Sequence, residues 1–214
     1  MRFVRILGKL LISVGFGVLM FVAWTLWGTG IYTSQQQDLL EQEFADAPPV
    51  VLDASNEVPE SYQPGAGKHA FRMEIPAIDF DQIVVEGVGT DELKKGPGHY
   101  PDCRPGFEKP LCTPFEEVWP GEEGRVIVSG HRTTFGAPFY DIDKLKRGDR
   151  IVTETKWGEY TYEVTIKTIV EPDSPLVVID TRQDDSREPE LVLTTCNPRF
   201  SAAERLIVYA ELST

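Results

Sequence analysis

Basic residues are scarce in this chain. Its 214 residues include 21 Lys and Arg against 34 Asp and Glu, which gives a formal net charge of -13. Binding to nucleic-acid phosphates requires a basic face, so this balance argues against a nucleic-acid partner. We interpret the acidic excess as a solvated surface.

Cysteine is also scarce, with three residues in the whole chain. A domain of about 150 residues buries a sufficient core of its own and needs no disulfide framework. Cys103 and Cys112 lie close together in a Pro-rich segment, whereas Cys196 stands alone. In an oxidising compartment this pattern favours one local disulfide, Cys103–Cys112, and one free thiol. Two free thiols or a metal site are the alternatives for the first pair, although two cysteines do not complete a zinc site.

Long hydrophobic runs are absent except at the N-terminus, where residues 10–31 carry no charge. This run is long enough to cross a bilayer as a helix, and Trp24, Trp27 and Tyr32 gather at its far end, where interfacial aromatics belong. The basic residues before it predict a cytoplasmic N-terminus. A cleaved signal peptide and a buried core helix are the alternatives, but no clear cleavage site follows the run.

Composition divides the chain into three parts. Residues 1–32 are predicted to form a cytoplasmic tip and membrane anchor. Residues 33–67 contain no Lys or Arg but seven acids and several prolines, which predicts an extracellular linker or stalk, with a polar helix at 35–47. Residues 68–214 are predicted to form the globular domain.

No run after residue 68 predicts a long helix. One helical turn capped by Thr90 is expected at 90–95, and a hairpin turn at 157–158. Strand-like runs occur at 71–75, 81–87, 125–129, 151–155, 160–170, 176–179, 191–195 and 206–210. Short strands at this spacing predict an all-β barrel or sandwich.

Three residues at strand ends could support acyl transfer: His131, Cys196 and Arg205. A thiol becomes a good nucleophile when a neighbouring cation lowers its pKa, and a histidine can supply that cation and move protons. An arginine keeps its charge and can hold an oxyanion. On composition alone, however, a lone cysteine that ends an apolar strand is more often a buried small hydrophobe. Scattered acids form no clear ligand cluster, and we expect no metal and no cofactor.

Four motifs resemble those of a known family, the sortases: LVLTTCNPRF, SGHRTTFGAPF, RLIVYAEL and GPGHYP. The first is similar to the TLxTC signature, except that Val192 stands where the signature has its first Thr. The order of the motifs also matches, and the resemblance covers roughly residues 71–212. The motifs look most like class E sortases of high-GC Gram-positive bacteria.

The resemblance implies a sortase-type eight-stranded β-barrel with short helices and 3-10 turns, preceded by one transmembrane helix. It implies a cysteine transpeptidase that cleaves an LPxTG-like sorting signal after its Thr, with LAxTG preferred in class E. The acyl group of a secreted protein would pass through a thioester to a peptidoglycan-precursor amine or a pilin lysine. The enzyme would be a single-pass protein of the cell membrane with an extracellular catalytic domain.

By motif match, Cys196 is the expected nucleophile, His131 the general acid and base, and Arg205, rather than Arg199, the oxyanion ligand. Thr195 and His99 are expected to contact substrate. Two other functions fit the same residues: a membrane-anchored cysteine peptidase that only hydrolyses, and a non-catalytic β-domain adhesin with a buried Cys196.

Overall fold

Strands form where β-branched and aromatic residues cluster between turns, and helices account for little of the chain beyond its N-terminal part. A computed structural model describes residues 2–52, 58–59, 62–113, 117–172, 174 and 188–213. The predicted strand at 176–179 lies outside these residues. The strands are β1 (His69–Ile75), β2 (Phe80–Glu86), β3 (Gly98–His99), β4 (Arg125–Ser129), β5 (Arg150–Glu154), β6 (Glu159–Val170), β7 (Glu190–Asn197) and β8 (Glu204–Leu212).

These strands close into a barrel in the order β1-β2-β3-β4-β7-β8-β6-β5, with β5 pairing back to β1. The β2–β3 and β4–β7 pairs are parallel, and the other pairs are antiparallel. Closure pairs the sheet edges that would otherwise be exposed. The predicted all-β barrel is therefore confirmed, and the hairpin turn expected at 157–158 joins β5 to β6.

The core fills the barrel with alternate residues from nearly every strand. On β7 and β8, for example, Leu191, Leu193, Leu206 and Val208 point inward. The residues between them point outward, where Val192 and Ile207 belong to a second, smaller apolar cluster. This alternation decides which residues near the strand ends reach the outer face.

The N-terminal part is a single long helix with one irregular turn. It comprises α1 (Arg2–Ala23), a π-helical turn (Trp24–Gly28) and α2 (Thr29–Asp46). By length and composition, this helix is apolar and long enough to cross a membrane. None of the residues in its first part, α1, is buried against the rest of the structure.

Helix α2 packs against the barrel, which differs from the free stalk expected at its position. Leu40 and Phe44 are buried against Ile83 and Val85 of β2. Gln37 adds three hydrogen bonds, with its amide nitrogen donating to the carbonyls of Ile83 and Lys95 and its oxygen accepting from the Ile83 N–H. The sequence predicts a polar helix here, because a buried face made of only two apolar residues, one helical turn apart, gives a weak amphipathic pattern.

Short elements complete the domain. Helix α3 (Thr90–Leu93) is preceded by Gly89 as N-cap, not by Thr90 as expected, and no side chain caps it. Residues 101–124 are irregular in their described part and carry a disulfide between Cys103 and Cys112, with the sulfurs 1.99 Å apart. We call residues 103–112 the disulfide loop.

Candidate active site

Cys196 and Arg205 are directly opposite each other on the antiparallel strands β7 and β8. Directly opposite residues share a face of a sheet, so the two side chains lie on the same side. Since Leu193 points into the core and the register of β7 is regular, Cys196 points outward. Its thiol is free and half-buried. The fold thus brings a thiol and a guanidinium together on the outer face of the barrel.

The Arg205 guanidinium is held by backbone oxygens instead of acids. Nη1 donates to the carbonyls of Ala202 (3.1 Å) and Glu204 (3.0 Å). No ion pair to Arg205 occurs among the residues that the structure describes. Backbone carbonyls carry no net charge, so they do not neutralise the Arg205 guanidinium. Its positive charge can therefore attract an anion near Cys196.

Arg199, the alternative ligand, is already paired. Its Nη2 lies 3.1 Å from Asp141 Oδ1 and 2.8 Å from Asp143 Oδ1. Its guanidinium also sits over the Tyr140 ring, 4.1 Å from the centroid. Two carboxylates and an aromatic face engage this cation, so the geometry favours Arg205 as the residue beside the thiol.

His131 follows β4 at the same end of the barrel. The Gly130 N–H donates to the Thr194 carbonyl (3.1 Å), which continues the parallel β4–β7 ladder up to the residue before His131. The ring of His131 packs against that of Phe135, with centroids 5.1 Å apart. Burial lowers the pKa of His131, which favours the neutral imidazole that can accept a proton.

The Thr195 side chain does not face the substrate side as expected. It is buried, and its hydroxyl donates to the Gly130 carbonyl at 2.7 Å. One residue along a strand reverses the direction of the side chain, so Thr195 points inward while Cys196 points outward. Thr195 therefore ties the Cys196 strand to the residue before His131.

Thr194 is the outward-facing neighbour that sequence reasoning missed. It is 4% exposed, and its hydroxyl has no hydrogen-bond partner within the described part of the chain. It shares the outer face of β7 with Val192 and Cys196. Val192, the departure from the TLxTC signature, packs there with Ile127 and Ile207 and so preserves an apolar surface.

Arg132 is a second residue that sequence reasoning missed. Although it is 4% exposed, its Nη1 donates to Asn197 Oδ1 (2.8 Å) and to the Cys196 carbonyl (3.4 Å), and its Nη2 pairs with Asp143 (2.9 Å). Asn197 in turn donates to Glu204 Oε2 at 2.7 Å. Arg132, the residue after His131, thus holds the backbone of Cys196 in place. In the sequence, only its position next to His131 could have indicated this role.

His99 does not join this group, and the expected substrate contact is not supported. It is 1% exposed, and its two ring nitrogens lie 3.0 Å from Glu86 Oε2 and from the Val118 carbonyl. Its ring packs against Trp119 and Phe71. A histidine whose nitrogens are both engaged in the interior has none left for a ligand.

Glu86, His99 and Glu117 do present ligand atoms within 4.8 Å of one another, as a metal site would. The Arg104 guanidinium, however, already lies in this cluster, 3.0 Å from Glu86 Oε1 and 2.7 Å from Glu117 Oε2. Burial raises the pKa of Glu86 to about 7 and that of Glu117 to about 8. The cluster is better suited to holding the disulfide loop, which carries Arg104, than to holding a cation.

Comparison with known proteins identifies the family. The family description "Sortase domain" matches residues 73–213, which include β2 to β8 and the whole of the candidate site. The chain belongs to the sortase family of cysteine transpeptidases. The family inferred from the four motifs is therefore confirmed.

Individual relatives agree. Sortase D of Bacillus subtilis strain 168 is 34% identical over 155 residues, which make up 71% of this chain and 67% of that relative. Sortase SrtE1 of Streptomyces coelicolor is 31% identical over 216 residues, 97% of this chain but 56% of that relative, so the chain spans little more than half of its length. The crystal structure of sortase E1 from Streptomyces coelicolor with a tripeptide in the active site superposes with a TM-score of 0.57 at 28% identity, covering 71% of this chain and 92% of that one.

Proposed function

We propose that this chain is a membrane-anchored transpeptidase that cleaves an LAxTG- or LPxTG-like sorting signal after its Thr. It then transfers the secreted protein to an amine of a peptidoglycan precursor or of a pilin lysine. The observation that carries this proposal is the pairing of Cys196 with Arg205 across β7 and β8. Membership of the sortase family supports the reaction, and the resemblance to class E supports Ala at the second signal position.

In the first half-reaction, His131 accepts the proton of the Cys196 thiol, and the thiolate attacks the carbonyl carbon of the signal Thr. Arg205 donates hydrogen bonds to the oxyanion that forms on the carbonyl oxygen. When this intermediate collapses, the Thr–Gly C–N bond breaks. The imidazolium gives its proton to the departing Gly nitrogen, and the acyl group remains on Cys196 as a thioester.

The second half-reaction reverses these roles with a different amine. The acceptor amine attacks the thioester carbonyl, His131 removes a proton from the attacking nitrogen, and Arg205 again holds the oxyanion. The C–S bond then breaks, and the proton on His131 returns to the sulfur. A new amide forms and the free thiol is restored, so no cofactor is consumed.

The test is a product analysis with the full chain in detergent micelles. Peptides containing LAxTG or LPxTG are incubated with and without diglycine, and the products are identified by mass spectrometry. We expect the fragment ending in Thr to appear joined to diglycine. If water were the only acceptor at every diglycine concentration, the chain would be a peptidase. No cleavage, together with a Cys196 that resists thiol reagents, would indicate a non-catalytic β-domain.

We further propose that the N-terminus lies in the cytoplasm and the barrel outside the cell. Three basic residues before the apolar run support this orientation. In a Cys196→Ala background, a membrane-impermeant maleimide applied to intact cells should label Ser34→Cys but not Arg5→Cys. Labelling of the Arg5→Cys variant would contradict the orientation.

A further inference from the structure

The loop after His131 adopts an unusual backbone. Phe135, Gly136 and Ala137 have φ values of 51°, 73° and 47°, all in the left-handed region. Each non-glycine residue in that region costs about 1–3 kcal/mol and persists only where its surroundings impose it. Two of these three residues are not glycine, so other parts of the structure must hold the loop in place.

Helix α2 supplies this support. The Phe135 N–H donates to Thr29 Oγ1 at 3.1 Å. A Cβ atom at Gly30 would lie 3.6 Å from both N and Cα of Gly136, so the two backbones approach closely at this point. Thr33, one turn further along α2, also contacts the loop. It is 2% exposed, and its methyl group would lie 3.4 Å from a Cβ built at Gly136.

The other side of the same loop contacts His131. The Phe135 ring packs against the imidazole in a tilted arrangement, with the ring centroids 5.1 Å apart and an interplanar angle of 36°. The Phe139 N–H donates to the His131 carbonyl at 3.1 Å, which closes the loop on the residue where it starts. Phe135 therefore joins the N-terminal helix, through its backbone, to the imidazole, through its ring.

We propose that the start of α2, through Thr29 and Gly30, holds the Phe135 loop and thereby positions the His131 imidazole for the reaction. Thr29, Gly30 and Phe135 are positioning residues that act through His131. The inference deepens the proposed function, on which its catalytic consequence rests. It also links the proposed membrane anchor to the active site, because Thr29 and Gly30 lie at the far end of the apolar run, residues 10–31.

The consequence for His131 is specific. Burial lowers the pKa of this imidazole, and the adjacent Phe135 ring provides part of the burial. If α2 releases the loop, the left-handed residues relax and the ring leaves the imidazole. The pKa of His131 should then rise towards the ordinary value for histidine, and the imidazole should lose its orientation.

Two substitutions in α2 test this link, each with a matched control. Thr29→Val removes the acceptor for the Phe135 N–H but keeps the shape, whereas Thr29→Ser keeps the hydroxyl. Gly30→Leu places a branched side chain against Gly136. Gly15→Leu is the same change on the same helix, at a position where no atom lies within 4 Å of the added Cβ.

The full-length variants are compared in detergent micelles for kcat, for KM and for the NMR titration of their imidazole signals. The chain has three histidines, so a His131→Asn variant assigns the relevant signal. Misplacing a catalytic group by about 1 Å can cost on the order of 100-fold in rate. We expect Thr29→Val and Gly30→Leu to lower kcat by about 10- to 100-fold and to raise the pKa of His131. Thr29→Ser and Gly15→Leu should match the wild type.

The inference would be overturned if Thr29→Val left both kcat and the His131 titration unchanged. Thr29→Val is the decisive variant if Gly30→Leu fails to fold. The titration reports the environment of the imidazole without reference to activity. If His131→Asn remained fully active, the catalytic role of His131 would be wrong, but the positioning of its ring would still be decided by the titration.

Discussion

His99 and His131 both follow a glycine and lie on neighbouring strands or their ends, yet the barrel treats them in opposite ways. His99 is enclosed in a cluster with Glu86 and Glu117, and both of its ring nitrogens are engaged. His131 is half-buried, and its ring contacts an aromatic side chain. In the part of the chain that the structure describes, no hydrogen bond or ion pair reaches the His131 ring.

The two regions differ in how their arginine side chains are paired. Around His99, the Arg104 guanidinium forms ion pairs with the carboxylates of Glu86 and Glu117. These ion pairs attach the disulfide loop to the barrel. Around Cys196, the Arg205 guanidinium meets only backbone oxygens, and the Thr194 hydroxyl is left without a partner among the described residues. A guanidinium without a carboxylate partner keeps its charge available for an anion, which indicates that a ligand binds at the Cys196 end of the barrel.

Substituting each histidine tests this contrast with the largest expected effect. His131→Ala should lower kcat/KM by about 10²–10⁴ because general acid–base catalysis is lost, while the unfolding temperature stays near that of the wild type. His99→Ala should instead cost about 1–3 kcal/mol of stability because it leaves a buried carboxyl without its partner. Peptide turnover and thermal unfolding are measured on both variants. A stable and normally active His99→Ala protein would remove the distinction between the two regions.

The two arginines near the thiol give the next largest effect. Arg205→Ala should lower kcat by about 10²–10³, the usual cost of losing an oxyanion ligand. Arg199→Ala loses only partly exposed ion pairs, which contribute about 0.2–1 kcal/mol to stability, and its turnover should stay close to normal. Steady-state kinetics on the same peptide compares them. The reverse order of effects would assign the oxyanion to Arg199.

Much of this arrangement could be predicted from the sequence. Alternation of apolar residues located most of the strands, and the polar residues at their ends indicated Cys196, His131 and Arg205. What alternation does not give is which face lies inside the barrel, so Thr195 was assigned to the substrate side when it points inward. Nor can it separate His99 from His131, because their difference depends on residues far along the chain, such as Glu117.

The N-terminal helix shows a second limit of sequence reasoning. The composition of residues 33–67 is that of a solvated linker, and only Leu40 and Phe44 indicate a buried face. Their partners on β2 become visible only when the barrel is closed. Arg132 is similar, because its contact with Asn197 joins residues that are 65 positions apart.

Thr195 offers a smaller test of the site. Thr195→Val removes the hydroxyl that donates to the Gly130 carbonyl, a hydrogen bond worth about 1 kcal/mol. We expect kcat to fall by about tenfold and KM to stay nearly unchanged, because a hydrogen bond between the strands that carry Cys196 and His131 is lost. Thr195→Ser should restore the rate. A selective rise in KM would return Thr195 to the substrate-contacting role.

The smallest effect concerns the pH dependence of stability in the His99 region. The folded-state pKa of Glu117 is raised to about 8, chiefly by burial. The folded protein therefore holds a proton that the unfolded chain releases, and this contribution to stability is lost as the pH rises towards 8. Burial lowers the pKa of His99 in the folded protein. His99 therefore destabilises the fold as the pH falls below the pKa that this histidine has in the unfolded chain.

Comparing Glu117→Gln with the wild type isolates the carboxyl. Between pH 5.5 and 8.5 the wild type should lose about 2–4 °C more in its unfolding temperature than the variant, which corresponds to about 1 kcal/mol. Thermal unfolding across this range measures the difference. Parallel curves would show that Glu117 ionises as readily in the fold as in the unfolded chain.

The most direct test of the account is to find where the acyl group goes. The full chain is mixed with an LAxTG peptide, quenched in acid before turnover, digested and mapped by mass spectrometry, with Cys196→Ala as the control. The account predicts that the peptide fragment ending in Thr is attached to Cys196 through a thioester, that diglycine discharges it, and that the control carries none. An adduct on another residue, or cleavage of the peptide by Cys196→Ala, would contradict it.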